Sequence, residues 1–177
     1  MVNLLATLGR TVGGPVETFE NLSNGNYISD FPPHKVKVDE LIALTTSETE
    51  ETFFIMKAVL MCCLNFTKVR AVRLDIDDVS TPQDFVLVRE KVKGLLRPGD
   101  YLDFSGGRKA ISSAAVLGAR EVGAHLVTSI IGEDEYDRVK GRMVQIRDRA
   151  LAVYRPEQCL GYLCDLYTTK ARTIVFF

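Results

Sequence analysis

The stretch Tyr101–Ile131, YLDFSGGRKAISSAAVLGAREVGAHLVTSII, decides the fold class. An apolar strand runs from Tyr101 to Ser105 and turns through Gly106-Gly107-Arg108-Lys109. A helix follows from Ala110 to Val122, closed by Gly123. A second apolar run, Ala124 to Ile131, begins at once. Strand, helix and strand at this spacing form a βαβ unit, and such units lay their strands parallel in one sheet.

Outward from this unit the alternation repeats. Upstream, Val2 to Leu8 reads as a first strand and Gly9 to Gly14 as a glycine-rich turn. Pro15 to Lys35 reads as a long irregular excursion with a short helix near Val16 to Asn21, long enough to close over a ligand as a lid or to dock a partner. Val38 to Leu44 is a second strand. Ser47 then serves as an N-cap, with Glu50 completing a capping box, for a helix from Glu48 to Asn65. Val69 to Leu74 is a third strand, followed by the acidic turn Asp75-Ile-Asp-Asp78 and a helix from Thr81-Pro82 to Gly94. Downstream, Glu133 to Ala152 is helical, Pro156 starts another helix, and Ala171 to Phe177 is a last strand. The expected fold is a single-domain α/β protein, Rossmann-like and doubly wound, with a mostly parallel sheet and helices on both faces.

Composition agrees with one ordinary globular domain. The chain has 177 residues, 46% apolar and 25% charged, enough to bury a core without staples. Twenty-two Lys and Arg stand against 23 Asp and Glu, a net charge of −1. That balance argues against a duplex nucleic-acid binder but leaves room for a local basic pocket. No apolar run is long enough to span a membrane, and Met1 to Leu8 lacks the features of a signal peptide, so a cytoplasmic protein is expected. Cys62 and Cys63 are adjacent, and Cys159 and Cys164 lie five apart; neither spacing is that of a zinc site. They read as buried small hydrophobes, disulfides being expected only in a hyperthermophile cytosol.

In an open α/β sheet, ligands bind beyond the carboxyl ends of the strands. That rule gathers Gly9-Arg-Thr-Val-Gly-Gly14, Thr45-Thr-Ser47, Asp75-Ile-Asp-Asp78 and Ser105-Gly-Gly-Arg-Lys109 on one edge. The two glycine-bearing loops suit phosphate, because backbone N–H groups and helix N-termini can approach an anion there. Arg108 and Lys109 oppose the dipole of the helix they open, which points to an anionic ligand; the alternative is a solvated basic pair. There is no P-loop, no dinucleotide fingerprint and no nucleophile elbow. Asp75, Asp77 and Asp78 can be read as a hard-cation site or as a solvated turn, and the turn is preferred. His34 and His125 have no partner at a metal or triad spacing, so a histidine general base is not expected. No metal or cofactor is called for, and an enzyme built from these loops would work by positioning and electrostatics.

Three segments carry a resemblance. Leu5-Ala-Thr-Leu-Gly-Arg-Thr-Val-Gly-Gly14 and Asp100-Tyr-Leu-Asp-Phe-Ser-Gly-Gly-Arg-Lys-Ala110 resemble the first and second motifs of the CRISPR-associated Rossmann-fold (CARF) domains. Thr169-Lys-Ala-Arg-Thr-Ile-Val175 resembles the end of the short stand-alone members, the archaeal ring nucleases that degrade cyclic tetra-adenylate. The resemblance implies a homodimer holding the cyclic ligand across its two-fold axis. It also implies metal-independent attack of a ribose 2′-hydroxyl on the neighbouring phosphate, giving linear products ending in a 2′,3′-cyclic phosphate. By position, Thr11 would orient the ribose and Lys170 would stabilise the phosphoryl charge. Gly106, Gly107, Arg108 and Lys109 would contact phosphates and ring, with Gly9 and Arg10 bordering them. Related first loops usually read Gly-Thr-Ser-Pro-Gly-Gly. Here Arg10 adds a charge, Thr11 keeps the hydroxyl but adds a methyl, and Val12 stands in place of a proline.

Read without the family, Thr11 is a turn residue bonding its own backbone and Lys170 a surface lysine before an edge strand. The leading expectation is a cyclic tetra-adenylate nuclease that ends antiviral signalling. A non-catalytic cyclic oligoadenylate sensor is the alternative, and a structural subunit docking through residues 15–35 is a third.

Overall fold

The computed structural model describes residues 1–177. Six strands form one sheet: β1 (Asn3–Thr7), β2 (Glu40–Thr45), β3 (Val69–Arg73), β4 (Tyr101–Asp103), β5 (His125–Ile130) and β6 (Arg172–Val175). Their order is β3-β2-β1-β4-β5-β6, with β1 to β5 parallel and β6 antiparallel to β5. The helices are α1 (Gly13–Asn24), α2 (Glu50–Leu64), α3 (Pro82–Leu95), α4 (Lys109–Glu121) and α5 (Glu133–Leu151). One apolar core lies under α1, α2 and α5, and a second lies under α3 and α4 on the other face. This is the expected doubly wound arrangement. Central strands read as continuous apolar runs because both their faces are covered: Leu4, Leu5, Leu41 and Ile42 are all fully buried. The exposed edge strand β3 carries Arg70 and Arg73 instead, charges that discourage pairing with another sheet. No helix is long and apolar enough to cross a membrane.

Four local expectations change. The excursion after the first turn contains a full twelve-residue helix, α1, where a short one was expected near Val16 to Asn21. Gly13, Gly14 and Pro15 are poor helix formers, but Pro is tolerated in a first turn. Burial of Val16, Phe19 and Leu22 then selects the helix, and Gly25 ends it in the left-handed conformation at φ 71°. The remainder of that excursion is not a lid. Phe31, His34 and Lys35 gather with Met1, Val2 and Gly99 at the amino ends of the strands, the edge opposite the glycine loops.

The second correction concerns the start of α2. A 3₁₀ turn, Ser47–Thr49, precedes it, and the cap is Thr46 with Thr49 rather than Ser47 with Glu50. The Thr46 N–H donates to Thr49 Oγ1 at 3.0 Å. In the third, Pro156 does not open an α-helix; the chain makes two 3₁₀ turns, Pro156–Gln158 and Gly161–Leu166. Fourth, the cysteines are not free buried hydrophobes. Cys62 bonds Cys159 and Cys63 bonds Cys164, with Cα separations of 5.5 and 5.7 Å. Adjacent cysteines at the end of α2 thus hold the helix-poor segment between α5 and β6 at two points, doing there what a longer helix would do by packing.

Candidate functional site

The strand order reverses between β1 and β4, so the loops after these two strands meet at the switch point of the sheet. They meet backbone to backbone. A Cβ on Gly9 would lie 3.1 Å from the Gly107 nitrogen, and one on Gly106 would lie 3.0 Å from the Gly9 nitrogen. Gly107 also has φ +90°, where a side chain is strained. The pairing is fixed from below. Thr7 Oγ1 donates to the Gly106 carbonyl at 2.6 Å, and Ser112 Oγ donates to the same oxygen at 2.8 Å.

Above this contact lies a pocket of about 430 Å³. Gly9, Arg10 and Thr11 line it from one loop and Ser105, Gly106, Gly107 and Arg108 from the other, with Thr46, Glu48, Thr49 and Tyr136 completing the wall. The helices that follow these loops, α1 and α4, have Val12 and Arg108 at their N-cap positions, and neither residue supplies a side-chain cap. Their first amides are therefore left for solvent or a ligand, and the helix dipoles favour an anion there.

Charge in the pocket is uneven. Arg108 Nη2 donates to Glu48 Oε2 at 2.8 Å, and its Nε lies 3.9 Å from Asp78 Oδ2. Hydrogen bonding to Glu48 and the charges of Glu48 and Asp78 push the Arg108 value further up. So Arg108 is neither a free cation nor a merely solvated one; it is already partnered across the site. Arg10 forms no ion pair, and it is the uncompensated cation of the lining. Asp77 accepts from Ser47 Oγ, and Asp78 Oδ1 accepts from the Val79 N–H at 2.8 Å, so these acids point to different partners. Val12 is fully buried among core residues, which accounts for an apolar side chain at that loop position.

The other expected site residues fall differently. Lys109 is exposed at the first position of α4 and lies outside the lining. Lys170 also lies outside it, with 78% of its side chain exposed and Nζ 3.9 Å from Glu135 Oε1. Glu135 precedes the lining residue Tyr136 in sequence, so the lysine sits against the first turn of α5, which also supplies a residue to the pocket wall. The Lys170 N–H donates to Thr168 Oγ1 at 3.1 Å. Arg138 Nη1 donates to the Asp165 carbonyl at 2.9 Å and pins the same stretch. Hydrogen bonds from Arg138 and Thr168 lower the Glu135 carboxyl.

Sequence reasoning missed Tyr136, Glu48 and two buried acids. Tyr136 and Glu48 carried no signal beyond membership of a helix. Asp103, fully buried at the end of β4, accepts the Ser105 N–H at 2.7 Å, and burial raises its value. Glu17, on α1, is 2% exposed. Burial pushes it up to about 7, with Asp103 and Glu135 adding repulsion, while the Thr168 backbone amide and Arg138 oppose the rise. An acid in mid-helix amid Val16, Thr18 and Phe19 was the one signal available for it.

A carboxyl raised from its ordinary 4.5 to about 7 holds its proton in the folded state after the unfolded chain has lost it. Stability from this group is therefore greatest below pH 4.5 and falls as pH rises through 7, by about 3 kcal/mol at most. Glu17→Gln should flatten that decline, so its denaturant midpoint at pH 8.5 should exceed the natural protein's, with the two converging toward pH 5. Parallel curves for the two proteins across this range would refute the assignment.

No family model matches the chain. It is similar to the CRISPR system ring nuclease of Saccharolobus solfataricus, with 34% identity over 185 aligned positions covering 99% of each protein.

Proposed function

Because the chain belongs to the stand-alone CARF ring nucleases, we propose that it cleaves cyclic tetra-adenylate and thereby ends CRISPR antiviral signalling. The observation that carries this reading is the pocket at the switch point, where Gly9–Thr11 face Gly106–Arg108 beneath two uncapped helix starts. A volume of about 430 Å³ suits part of a four-nucleotide ring rather than the whole. That favours a homodimer in which each protomer holds half the ligand, as two-fold symmetry allows.

The proposed reaction needs no metal. The ribose 2′-oxygen attacks the adjacent phosphorus, its proton leaves, and the bond from phosphorus to the 5′-oxygen breaks as that oxygen gains a proton. The products are linear and end in a 2′,3′-cyclic phosphate. Thr11, in the pocket wall, would orient the ribose so that attack is in line. Lys170 would meet the charge developing on the phosphoryl oxygens. Gly9, Gly106 and Gly107 would present amides to phosphate, Arg10 and Arg108 would contact it, and Lys109 would reach the ring from outside.

Labelled cyclic tetra-adenylate incubated with the protein in excess EDTA tests the reading. Linear products with a cyclic phosphate end support it; a ring left intact despite binding defeats it. That second result would establish a cyclic oligoadenylate sensor, a reading favoured by one observation, that Lys170 stands outside the pocket lining.

Arg10 supplies a separate prediction. As the unpaired cation of the lining, it should bind a phosphate by a charged hydrogen bond contributing about 1.5–3 kcal/mol. Arg10→Ala should therefore weaken ligand binding roughly ten- to a hundredfold, measured by calorimetry. Arg108→Ala should cost less, because Glu48 and Asp78 already share its charge. The reverse ranking would mean that the ligand displaces those acids.

A further inference from the structure

The reaction proposed above uses Thr11 from the loop before α1 and Lys170 from the turn before β6. A line of hydroxyl and amide groups, unused by that reaction, runs between the elements that carry them. On the face of the sheet under α1, β5 and β6 pair Val127 with Val175 and, nearer the site edge, Ser129 with Thr173. The first pair is apolar and belongs to the core. The second is a pair of hydroxyls, joined at 2.7 Å between Ser129 Oγ and Thr173 Oγ1. Residues two apart on a strand share a face, so this lining changes from apolar to polar as it nears the site.

Helix α1 meets it with polar groups of its own. Thr18 Oγ1 shares a hydrogen bond with Ser129 Oγ at 2.6 Å. One turn on, Asn21 Nδ2 donates to Thr173 Oγ1 at 2.9 Å and to the Ala171 carbonyl at 3.3 Å. A carbonyl can only accept, so the amide nitrogen must face it. Asn26 Nδ2 donates to Asn21 Oδ1 at 3.3 Å and holds the amide in that orientation. Thr18, Asn21 and Thr173 are all buried. At the other end of the line, the Ser129 N–H donates to Ser105 Oγ at 2.8 Å, and Ser105 lines the pocket. Ser105 is braced in turn. Its hydroxyl donates to Asp103 Oδ1, and a Cβ on Gly14, in the first turn of α1, would come within 2.8 Å of its Cβ.

We propose that Asn21 is a positioning residue for ring cleavage: it fixes the Lys170 end of β6 to α1, the helix behind the Thr11 loop, and Thr173 and Ser129 carry the same hold to Ser105 in the pocket wall. The link to cleavage rests on the ring-nuclease reading, but the hold itself is a property of the fold.

Strand pairing alone does not reach the lysine. The β5–β6 ladder ends with Ile130 opposite Arg172, and Ala171 and Lys170 lie beyond it. An exposed ammonium meets a phosphate at a repeatable place only if the backbone under it is fixed, and the bond from Asn21 to the Ala171 carbonyl fixes it one residue away. Asn21 itself lies outside the pocket lining, so its loss should fall on the rate of the bound complex and not on affinity. Because it acts through Lys170, the two losses should not add.

The experiment is single-turnover cleavage of cyclic tetra-adenylate, with its Kd by calorimetry, for the natural protein, Asn21→Leu, Thr173→Val, Thr173→Ser, Lys170→Ala and the double variant Asn21→Leu/Lys170→Ala. Backbone motion at the Lys170 and Ala171 amides is followed by NMR relaxation. Asn21→Leu and Thr173→Val should each slow cleavage about ten- to a hundredfold and leave Kd within about twofold. Thr173→Ser, which keeps the hydroxyl, should cleave at close to the natural rate. In the Lys170→Ala background, Asn21→Leu should cost little more. The two amides should become more mobile in Asn21→Leu. A full additional loss in the double variant would make Asn21 a general structural residue and overturn the proposal, as would unchanged motion at Lys170 and Ala171. If Asn21→Leu does not fold, Thr173→Val, which exchanges one hydroxyl for a methyl, takes its place in the same comparison. If the natural protein leaves the ring intact, the ring-nuclease reading fails, and the motion of the two amides alone decides whether Asn21 holds the segment.

Discussion

Lys170→Ala should slow cleavage of cyclic tetra-adenylate by about a hundredfold or more while leaving its dissociation constant within about twofold. The asymmetry follows from where the lysine stands. It lies outside the pocket lining, mostly in solvent, and its sole ionic neighbour is Glu135 at 3.9 Å. A side chain so placed should add little to binding the intact ring, whose phosphates on the proposed reading would meet Arg10, Arg108 and the amides of the two loops. It matters when a phosphorus acquires a fifth oxygen and its charge moves outward. An interaction made only then lowers the barrier without raising affinity. Matched losses in rate and affinity would make Lys170 an ordinary ground-state contact. An unchanged rate would return it to the surface lysine that its exposure alone describes. Either result would shift attention to Arg10, the uncompensated cation already inside the pocket.

What the sequence revealed of this site was its backbone. Gly9, Gly106 and Gly107 could be placed because strand, glycine turn and helix recur twice, and because the carboxyl edge of a parallel sheet is where such turns converge. The same logic gathered the two loops on one edge, but the reversal between β1 and β4 that sets them against each other appears only in the folded sheet. Side-chain partners were not legible. Nothing in the spacing of Glu48, Asp78 and Arg108 says that they pair, since their meeting depends on how two loops pack across β1, β2 and β4. Tyr136 was hidden for a similar reason: its helix was plain, but the face that reaches the pocket depends on how α5 crosses the sheet. The helix α1 was underestimated because local propensity opposes Gly13-Gly14-Pro15, and tertiary burial decided the matter. Glu17 was passed over because a helical acid is ordinarily solvated, and its burial arises only in the folded chain.

The cysteines were misread because their pairing is non-local, and the correction carries a large and unusual prediction. The two disulfides close nearly the same loop, with sequence separations of 97 and 101 residues. In the chain-entropy account, a first cross-link over such a span contributes about 4.7 kcal/mol by restricting the unfolded chain. The second does not repeat that contribution. With one bond made, the other closes only a ring of roughly eight residues, from Cys62–Cys63 and Cys159–Cys164, and adds about 2.5 kcal/mol. Cys159→Ser and Cys164→Ser should therefore each cost about 2.5 kcal/mol, since either remaining bond still spans the long loop. The double variant should cost about 7 kcal/mol, well above the sum of the singles. As melting temperatures, that is a loss of roughly 5–10 °C for each single variant and 15–25 °C for the double. Full reduction should reproduce the double variant. Singles that add to the double would mean that each bond acts through local packing of the segment between α5 and β6 and not through the unfolded chain. A double variant as stable as the singles would mean that the apolar contacts of Leu163 and Leu166, both fully buried, hold that segment without either bond.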